Sequence, residues 1–475
     1  MASEMRKSNG RKLALAECYL GMLLTFILCT RADAISSSNY RTPHRFTRVR
    51  TDGKMIEQQN WSNCSDQGST LGIEGGDYNW PKLEFNTRSV AAIVLGGVGA
   101  SLCTAAGLGG GGLFVPLFNL LLQFDSKTSA ALSNFMIVGG QLITMLLNLP
   151  RSDPVSPGKP LIDFEAALLL QPNLLLGITI GVILNVIFPG WLVTLLLTVV
   201  LAYMTVNSFQ SGVKRWNKES QQLASSALDN GNLTKPLLEH PISVGYPVKK
   251  IVALAMVWMV FFVVQIVRNE GEKCGVLFWV LTASQVPFGL IVTYFAVKNQ
   301  LKSLPNIIEG SQLVVIHEHQ IGSLQGNGFV LGPRESSLFP NVALVTGILG
   351  GMLGIGGAMI INPLLMQAGM HPQVTAATSG FMVVFSSSMS VVQYWLLGRV
   401  PVDWALTAAG LSALFSAVGI LLVQRIVQKY GRASLIVFIV AFVIGLSALL
   451  MGSLGGLNVW EQYRSGAYMG FHSPC

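Results

Sequence analysis

Apolar stretches long enough to cross a bilayer, separated by short polar connectors, set the pattern of this 475-residue chain. From Ser336 to Gly398 there is no Asp, Glu, Lys or Arg at all. A membrane-crossing helix needs about 20 apolar residues. The pattern predicts spans near 89–107, 128–149, 165–187, 190–209, 250–267, 275–297, 338–353, 374–397, 403–423 and 434–453. Two further apolar pieces, near 112–124 and 358–369, are short for a full bilayer. The fold class that follows is an all-α polytopic membrane protein.

The two short pieces sit in a repeat. Gly107–Asn134 reads GLGGGGLFVPLFNLLLQFDSKTSAALSN, and Gly354–Gly380 reads GIGGAMIINPLLMQAGMHPQVTAATSG. Gly107, Gly109, Gly110 and Pro116 align with Gly354, Gly356, Gly357 and Pro363. After a one-residue offset, Ala130, Ala131, Ser133, Phe135 and Met136 align with Ala376, Ala377, Ser379, Phe381 and Met382. Glycine admits backbone conformations closed to other residues, and proline fits the first turn of a helix. Each copy therefore predicts a helix that stops, turns and restarts as a short helix. The expected architecture is two repeats of about five segments each, 88–210 and 337–455, plus two linking spans within 250–297.

Composition and charge support this plan. The chain is 51% hydrophobic and 11% charged, against about 25% charged in a soluble domain. The formal charge of +8 is no nucleic-acid signal, because the basic residues lie in tails and connectors, where the positive-inside rule uses them. Lys214, Arg215, Lys218, Lys235, Lys249 and Lys250 mark 211–249 as a cytosolic loop, and Lys298, Lys302 and Arg334 mark 298–336 likewise. If every segment crosses, 150–163 and 424–433 join them on that face. The two copies then enter the membrane in opposite directions, an inverted repeat of the kind found in secondary transporters. If both short pieces are re-entrant, the parity changes and this topology fails.

The ends are of a different character. Residues 1–34 combine basic Arg6, Lys7, Arg11 and Lys12 with an apolar Leu13–Thr30 and a small-x-small Ala32-Asp33-Ala34, the pattern of a cleaved targeting segment or of a first membrane anchor. Either sends the chain into the secretory pathway, to the plasma membrane or an endomembrane. Residues 35–87 are polar, a lumenal or extracellular tail with glycosylation candidates at Asn60 and Asn63. The sequon at Asn232 lies in a cytosolic loop. Residues 456–475 form a C-terminal tail. Cys64, Cys274 and Cys475 share the lumenal side, and spacing does not choose a disulfide among them.

Several chemistries are weighed and set aside. Gly107–Gly112 satisfies GxGxxG, with Asp125 downstream, but a dinucleotide site needs a strand before it. Ser379 in Thr378-Ser379-Gly380 would need a base within reach to act as a nucleophile, and no histidine falls inside a predicted span. His317-Glu318-His319 reads as solvated loop, not metal site, and Asp125 and His371 as helix caps. No enzyme activity, cofactor, metal or nucleic-acid partner is expected; the partners are the lipid bilayer and a small sulfur anion. Interrupted helices expose backbone groups that must face protein or water, and half-helix N-termini attract anions. Against the plain reading that these glycines only allow close packing, the anion reading nominates Gly107, Gly109, Gly110, Pro116, Ser133, Asn134 and Gln141 from the first copy. From the second it nominates Gly354, Gly356, Gly357, Asn362, Pro363, Thr378, Ser379 and Gln393.

GxGG with a following proline, a polar turn and A-A-x-S, once in each half, resembles the TauE/SafE family of membrane proteins, over about 88–455. The first copy departs at Leu132, where the family has Thr, and the second has Asn362 before its proline. The lysine-rich loop and N-terminal tail are similar to plant-type members. The resemblance implies a secondary transporter of small anions, sulfite or organosulfonates, working by alternating access. The alternative is a non-transporting receptor or scaffold that binds partners through its cytosolic loops, and anion flux separates the two.

Overall fold

The computed structural model describes residues 87–153, 158–228, 246–270, 275–310, 333–398, 400–430, 434–466 and 470–471. The targeting segment, the N-terminal tail with Asn60 and Asn63, the sequon at Asn232, the His317-Glu318-His319 tripeptide and Cys64, Cys274 and Cys475 lie outside those residues. Among the described residues the chain forms twelve helices: α1 (Thr87–Ala105), α2 (Gly111–Leu120), α3 (Ser126–Asn148), α4 (Phe164–Ile187), α5 (Gly190–Leu228), α6 (Val248–Glu270), α7 (Val276–Gly310), α8 (Pro333–Leu353), α9 (Ala358–Gln367), α10 (Pro372–Leu396), α11 (Val402–Tyr430) and α12 (Ser434–Arg464). Eight are long and apolar enough to cross a membrane. The chain is an integral, multi-pass, all-α membrane protein.

Local chemistry sets the helix boundaries. The Asp125 carboxylate accepts from the Lys127 and Thr128 amides at 3.2 and 3.1 Å, capping α3. Asp163 caps α4 through the Glu165 and Ala166 amides at 2.9 and 3.1 Å, and His371 Nδ1 caps α10 through the Gln373 amide at 3.4 Å. These satisfy N–H groups that a helix cannot bond internally. The short α2 and α9 begin instead at Gly110 and Gly357, with no side-chain cap. Helix α5 runs on to Leu228, beyond the apolar span that ends near 209. Its extension holds Lys214, Arg215, Lys218, Glu219, Gln221, Gln222, Leu223 and Ala224, good helix formers, so the first part of the expected 211–249 loop is helical.

Helix directions follow from who meets whom. On α4 and α8, Asn173 Nδ2 donates to Pro340 O at 3.0 Å and Asn185 Nδ2 to Met352 O at 2.6 Å, so the two run parallel. The α4–α10 pair is parallel too, joined by the Asp163 amide to Thr378 Oγ1 at 2.9 Å near its start and Gln393 Nε2 to Thr179 Oγ1 at 3.4 Å near its end. Helix α1 runs parallel to α11, since a Cβ at Gly97 would strike Phe415 and one at Gly419 would strike Ser101. Helices α8 and α10 thus both start on the face where α4 starts. Helix α11 starts where α10 ends, on the face where α4 ends and α3 starts, so α1 starts there as well. Each short helix therefore returns with the helix before it, as a re-entrant pair from its own face. The pair makes no net crossing, so the parity obtained by counting both members as crossing is unchanged.

The two repeats interlock. Helix α4 packs on α8 and α11 on α1; α5 packs on α12; α3 packs on both α10 and α11, and α10 on α4. Each of these contacts recurs with the repeats exchanged, as a two-fold relation demands. Glycines let the backbones meet: a Cβ at Gly177 would lie 2.2 Å from Leu344 O, at Gly181 2.2 Å from Ile348 O and at Gly347 2.3 Å from Leu174 O. Such close small-residue contacts are the usual means of packing helices in lipid. Helices α6 and α7 have no repeat counterpart and lie against α4, with α6 also on α10 and α7 on α8.

Candidate functional site

The glycine breaks meet at the middle of the molecule. Helix α1 ends with the Gly107 amide on Thr104 O at 3.0 Å and the Leu108 amide on Cys103 O at 2.9 Å, with Gly107 at φ +69°. That is a Schellman cap, which calls for glycine in the left-handed region. In the other repeat Gly354 has φ +70°. A Cβ at Gly107 would lie 2.6 Å from Ala376 Cα, and one at Gly354 would lie 2.5 Å from Ala130 Cα. Ala130 and Ala376 are repeat equivalents, so each break is seated on the other repeat's long helix.

Two serines complete the exchange. Ser133 Oγ donates to Gly354 O at 2.7 Å, and Ser379 Oγ donates to Gly107 O at 3.2 Å. Asn362 Nδ2 also donates to Gly107 O, at 2.7 Å. The A-A-x-S part of each copy therefore grips the GxGG part of the other copy. Gly109 and Gly356 come closest to the two-fold relation: a Cβ on Gly109 would have ordinary contacts of 3.7 Å with Gly356 O, Ile137 and Val383. Ile137 and Val383 are themselves equivalents and stand midway along α3 and α10. The breaks thus lie at mid-depth.

Other nominated residues divide. Gly110 (φ +94°) starts α2, and a Cβ there would press on the Phe114 ring at 2.7 Å. Gly357 starts α9 with an ordinary negative φ of −38°, and its added Cβ would meet Leu174 Cδ1 at 2.9 Å. Pro116 and Pro363 fall in the second turn of their helices, one turn later than expected. They withhold the amides that would bond Gly112 O and Met359 O. Thr378 is turned away and accepts the Asp163 amide. Gln393 lies further along α10, on Thr179.

The polar groups left at the centre are conspicuously unsatisfied. Gln141 is 0% exposed, yet neither its Nε2 nor its Oε1 has a partner. Its Oε1 lies 2.8 Å from where a Cβ on Gly380 would be, so that glycine makes room for it. Asn134 bonds Ala130 O at 2.9 Å through Nδ2, while its Oδ1 and that of Asn362 stay unpaired. The repeat register, carried eight residues past Ser133 and Ser379, pairs Gln141 with Ser387, a residue the motif reading missed. Ser387 Oγ is also buried and unpartnered, 3.2 Å from an added Cβ on Gly356. Extending the alignment beyond Met136 and Met382 would have found it. Buried polar atoms nearly always have partners in folded proteins, so symmetry-related orphans beside two backbone breaks mark a place for a polar ligand. The named groups are neutral, with donors in the Gln141 carboxamide, the Ser387 hydroxyl and the open first turns of α2 and α9.

Interlocked inverted repeats, each with a broken helix reaching mid-membrane, define a class of polytopic membrane protein built around a central two-fold site. The sequence profile described as Sulfite exporter TauE/SafE matches residues 338–471. Sulfite exporter TauE/SafE family protein 2 of Arabidopsis thaliana is 39% identical over 420 residues, which cover 84% of this chain and 90% of that protein. Family protein 1 of the same plant is 37% identical over 421 residues, covering 84% and 91%. Family protein 6 is 33% identical over 409 residues, covering 83% and 87%. The chain belongs to the TauE/SafE family. No solved structure matches it.

Proposed function

We propose that this protein carries a small oxyanion, sulfite or an organosulfonate, across a membrane of the secretory pathway by alternating access, with the anion held where the two breaks meet. The observation that carries the reading is the pair Gln141 and Ser387, equivalent in the repeats, buried and without partners beside Gly380 and Gly356. The family relatives are named as sulfite exporters, which favours a sulfur anion over other small anions. Binding by dipoles rather than by a buried cation suits a carrier, since the ligand must also leave.

Flux of sulfite and of a sulfonate such as taurine into proteoliposomes is the test. Gln141→Leu removes a donor to a charged ligand, an interaction of about 1.5–3 kcal/mol, and is expected to raise the half-saturating concentration at least about ten-fold. Ser387→Ala is expected to act in the same direction with less force. Absence of flux for every sulfur oxyanion and sulfonate tried would overturn the reading in favour of a receptor or scaffold.

A further inference from the structure

A line of hydroxyl and amide side chains continues outward from the centre toward one face. Ser387, Ser390 and Gln393 follow one another along α10 at a spacing of three, which makes successive residues neighbours on a helix surface, and all are buried. Gln393 Nε2 donates to Thr179 Oγ1 at 3.4 Å, and Gln265 Nε2 of α6 donates to the same hydroxyl at 3.1 Å. Gln265 Nε2 also lies 3.4 Å from Gln285 Oε1 of α7. One turn beyond Gln265, Arg268 is only 7% exposed, with its guanidinium carbon 4.9 Å from the centre of the Phe278 ring. Gln393 Oε1, Gln265 Oε1, Gln285 Nε2 and Arg268 Nη1 are all buried and unpartnered.

The repeat supplies its own comparison. Ser101 and Ile348 are equivalents, as are Thr104 and Gly351; Gly419 meets Ser101 as Gly181 meets Ile348, and Ser416 meets Thr104 as Ile178 meets Gly351. In that register Thr179 corresponds to Ala417, Gln393 to Leu147 and Ser390 to Thr144. The matching route toward the opposite face therefore lacks the amide and the bridging hydroxyl, its Thr144 bonding its own helix at Gly140 O at 3.0 Å, and it has no counterpart of α6 or α7. Ionisable and amide side chains at membrane depth are costly to bury and face the protein interior where they serve a path. An amide and a bridging hydroxyl kept in one half and replaced by Leu147 and Ala417 in the other are not a by-product of the fold.

We infer that this seam, from Ser387 past Gln393, Thr179 and Gln265 to Arg268, is an anion path that joins the centre to the face where α6 ends and α7 begins. Arg268 stands at its mouth and selects for negative charge. The amides offer both donors and acceptors along the way, so an oxyanion exchanges one partner for the next without stripping every hydrogen bond at once. The seam would serve the anion of the proposed central site and rests on that reading for its cargo.

The test does not depend on transport. In full-length protein whose six cysteines are replaced by serine, Ser390→Cys and Gln393→Cys report access, with Leu147→Cys for the other route. Sealed proteoliposomes are treated from the α6–α7 face with an anionic sulfonatoethyl or a cationic trimethylammonioethyl methanethiosulfonate. Relative to free cysteine, positions 390 and 393 are expected to favour the anionic reagent roughly ten-fold, the effect of one nearby charge in a partly polar interior. Arg268→Gln is expected to abolish the preference, and Arg268→Lys to keep it. Position 147, treated from the opposite face, is expected to resist both reagents. No reaction at 390 and 393, no anionic preference in the protein that retains Arg268, or a preference unchanged by Arg268→Gln each overturns the inference. Failure of sulfite and taurine flux would instead sink the central-site reading while leaving these ratios to be read.

Discussion

At the residue scale, Gly107 and Gly354 carry a double constraint. Both have left-handed φ, and both have backbone of the opposite repeat within 2.6 Å of an added methyl group. Gly107→Ala and Gly354→Ala are expected to leave little folded protein in the membrane, while Gly410→Ala, whose Cβ would meet nothing within 4 Å, accumulates normally; immunoblotting of membrane fractions decides. Equal abundance of all three would contradict the packing. Ser133 and Ser379 hold break carbonyls, so Ser133→Ala and Ser379→Ala are expected to lower stability by about 1 kcal/mol each, seen in thermal unfolding. Their effect on transport affinity should be smaller than that of Gln141→Leu. The glycine and serine positions could be read from the repeat. Their partners could not, because an alignment sets Gly107 beside Gly354, whereas folding sets Gly107 against Ala376 and Ser379 of the other copy.

At the scale of elements, the short helices were legible as interruptions, since glycine and proline punctuate an apolar run. Their geometry was not. Hydropathy counts residues and cannot tell that α1 and α2 leave by the face they entered; that needed the parallel pairing of α1 with α11. The His371 cap shows how an element end responds to pH. Its Nδ1 accepts from the Gln373 amide, which requires a neutral ring. Burial pulls its pKa below the ordinary histidine value, with Asp153 pulling up and Arg215 adding to the fall. The folded pKa is thus below the unfolded one of about 6.5. Stability from this cap is present above that value and falls as pH drops through it toward the folded pKa. His371→Asn, which keeps a capping oxygen, is expected to flatten this part of the thermal-midpoint profile. Because the His371 residue is itself exposed, the change is small, and an unaltered profile would remove the cap from the account.

At the scale of the whole molecule, neither repeat covers its own apolar faces. With α1, α3, α4 and α5 all packed on helices of the second repeat, a first repeat made alone is expected to be degraded, and co-expression of residues 1–240 with 241–475 to restore both pieces to the membrane. Recovery of either piece alone would argue against the interlock. The helix directions also place the ends of α5 and α7 on one face and the start of α7 on the other. In a cysteine-free background, Lys214→Cys and Lys298→Cys are expected to react with an impermeant reagent from one side, and Val276→Cys from the opposite side. Reaction of Lys214→Cys and Val276→Cys from the same side would break the topology.

The re-entrant pairing has one more consequence. Because α1–α2 makes no net crossing, the first repeat ends, after α3, α4 and α5, on the face where α8 begins. The chain could have been joined there directly. Helices α6 and α7 are therefore not needed to turn the second repeat over. A carrier with perfect two-fold symmetry has interchangeable faces: whatever it costs to open toward one side, it costs equally toward the other. By lying on α4, with nothing equivalent on α11, these two helices make the faces unequal. They give the protein a front and a back that its duplicated halves could not supply.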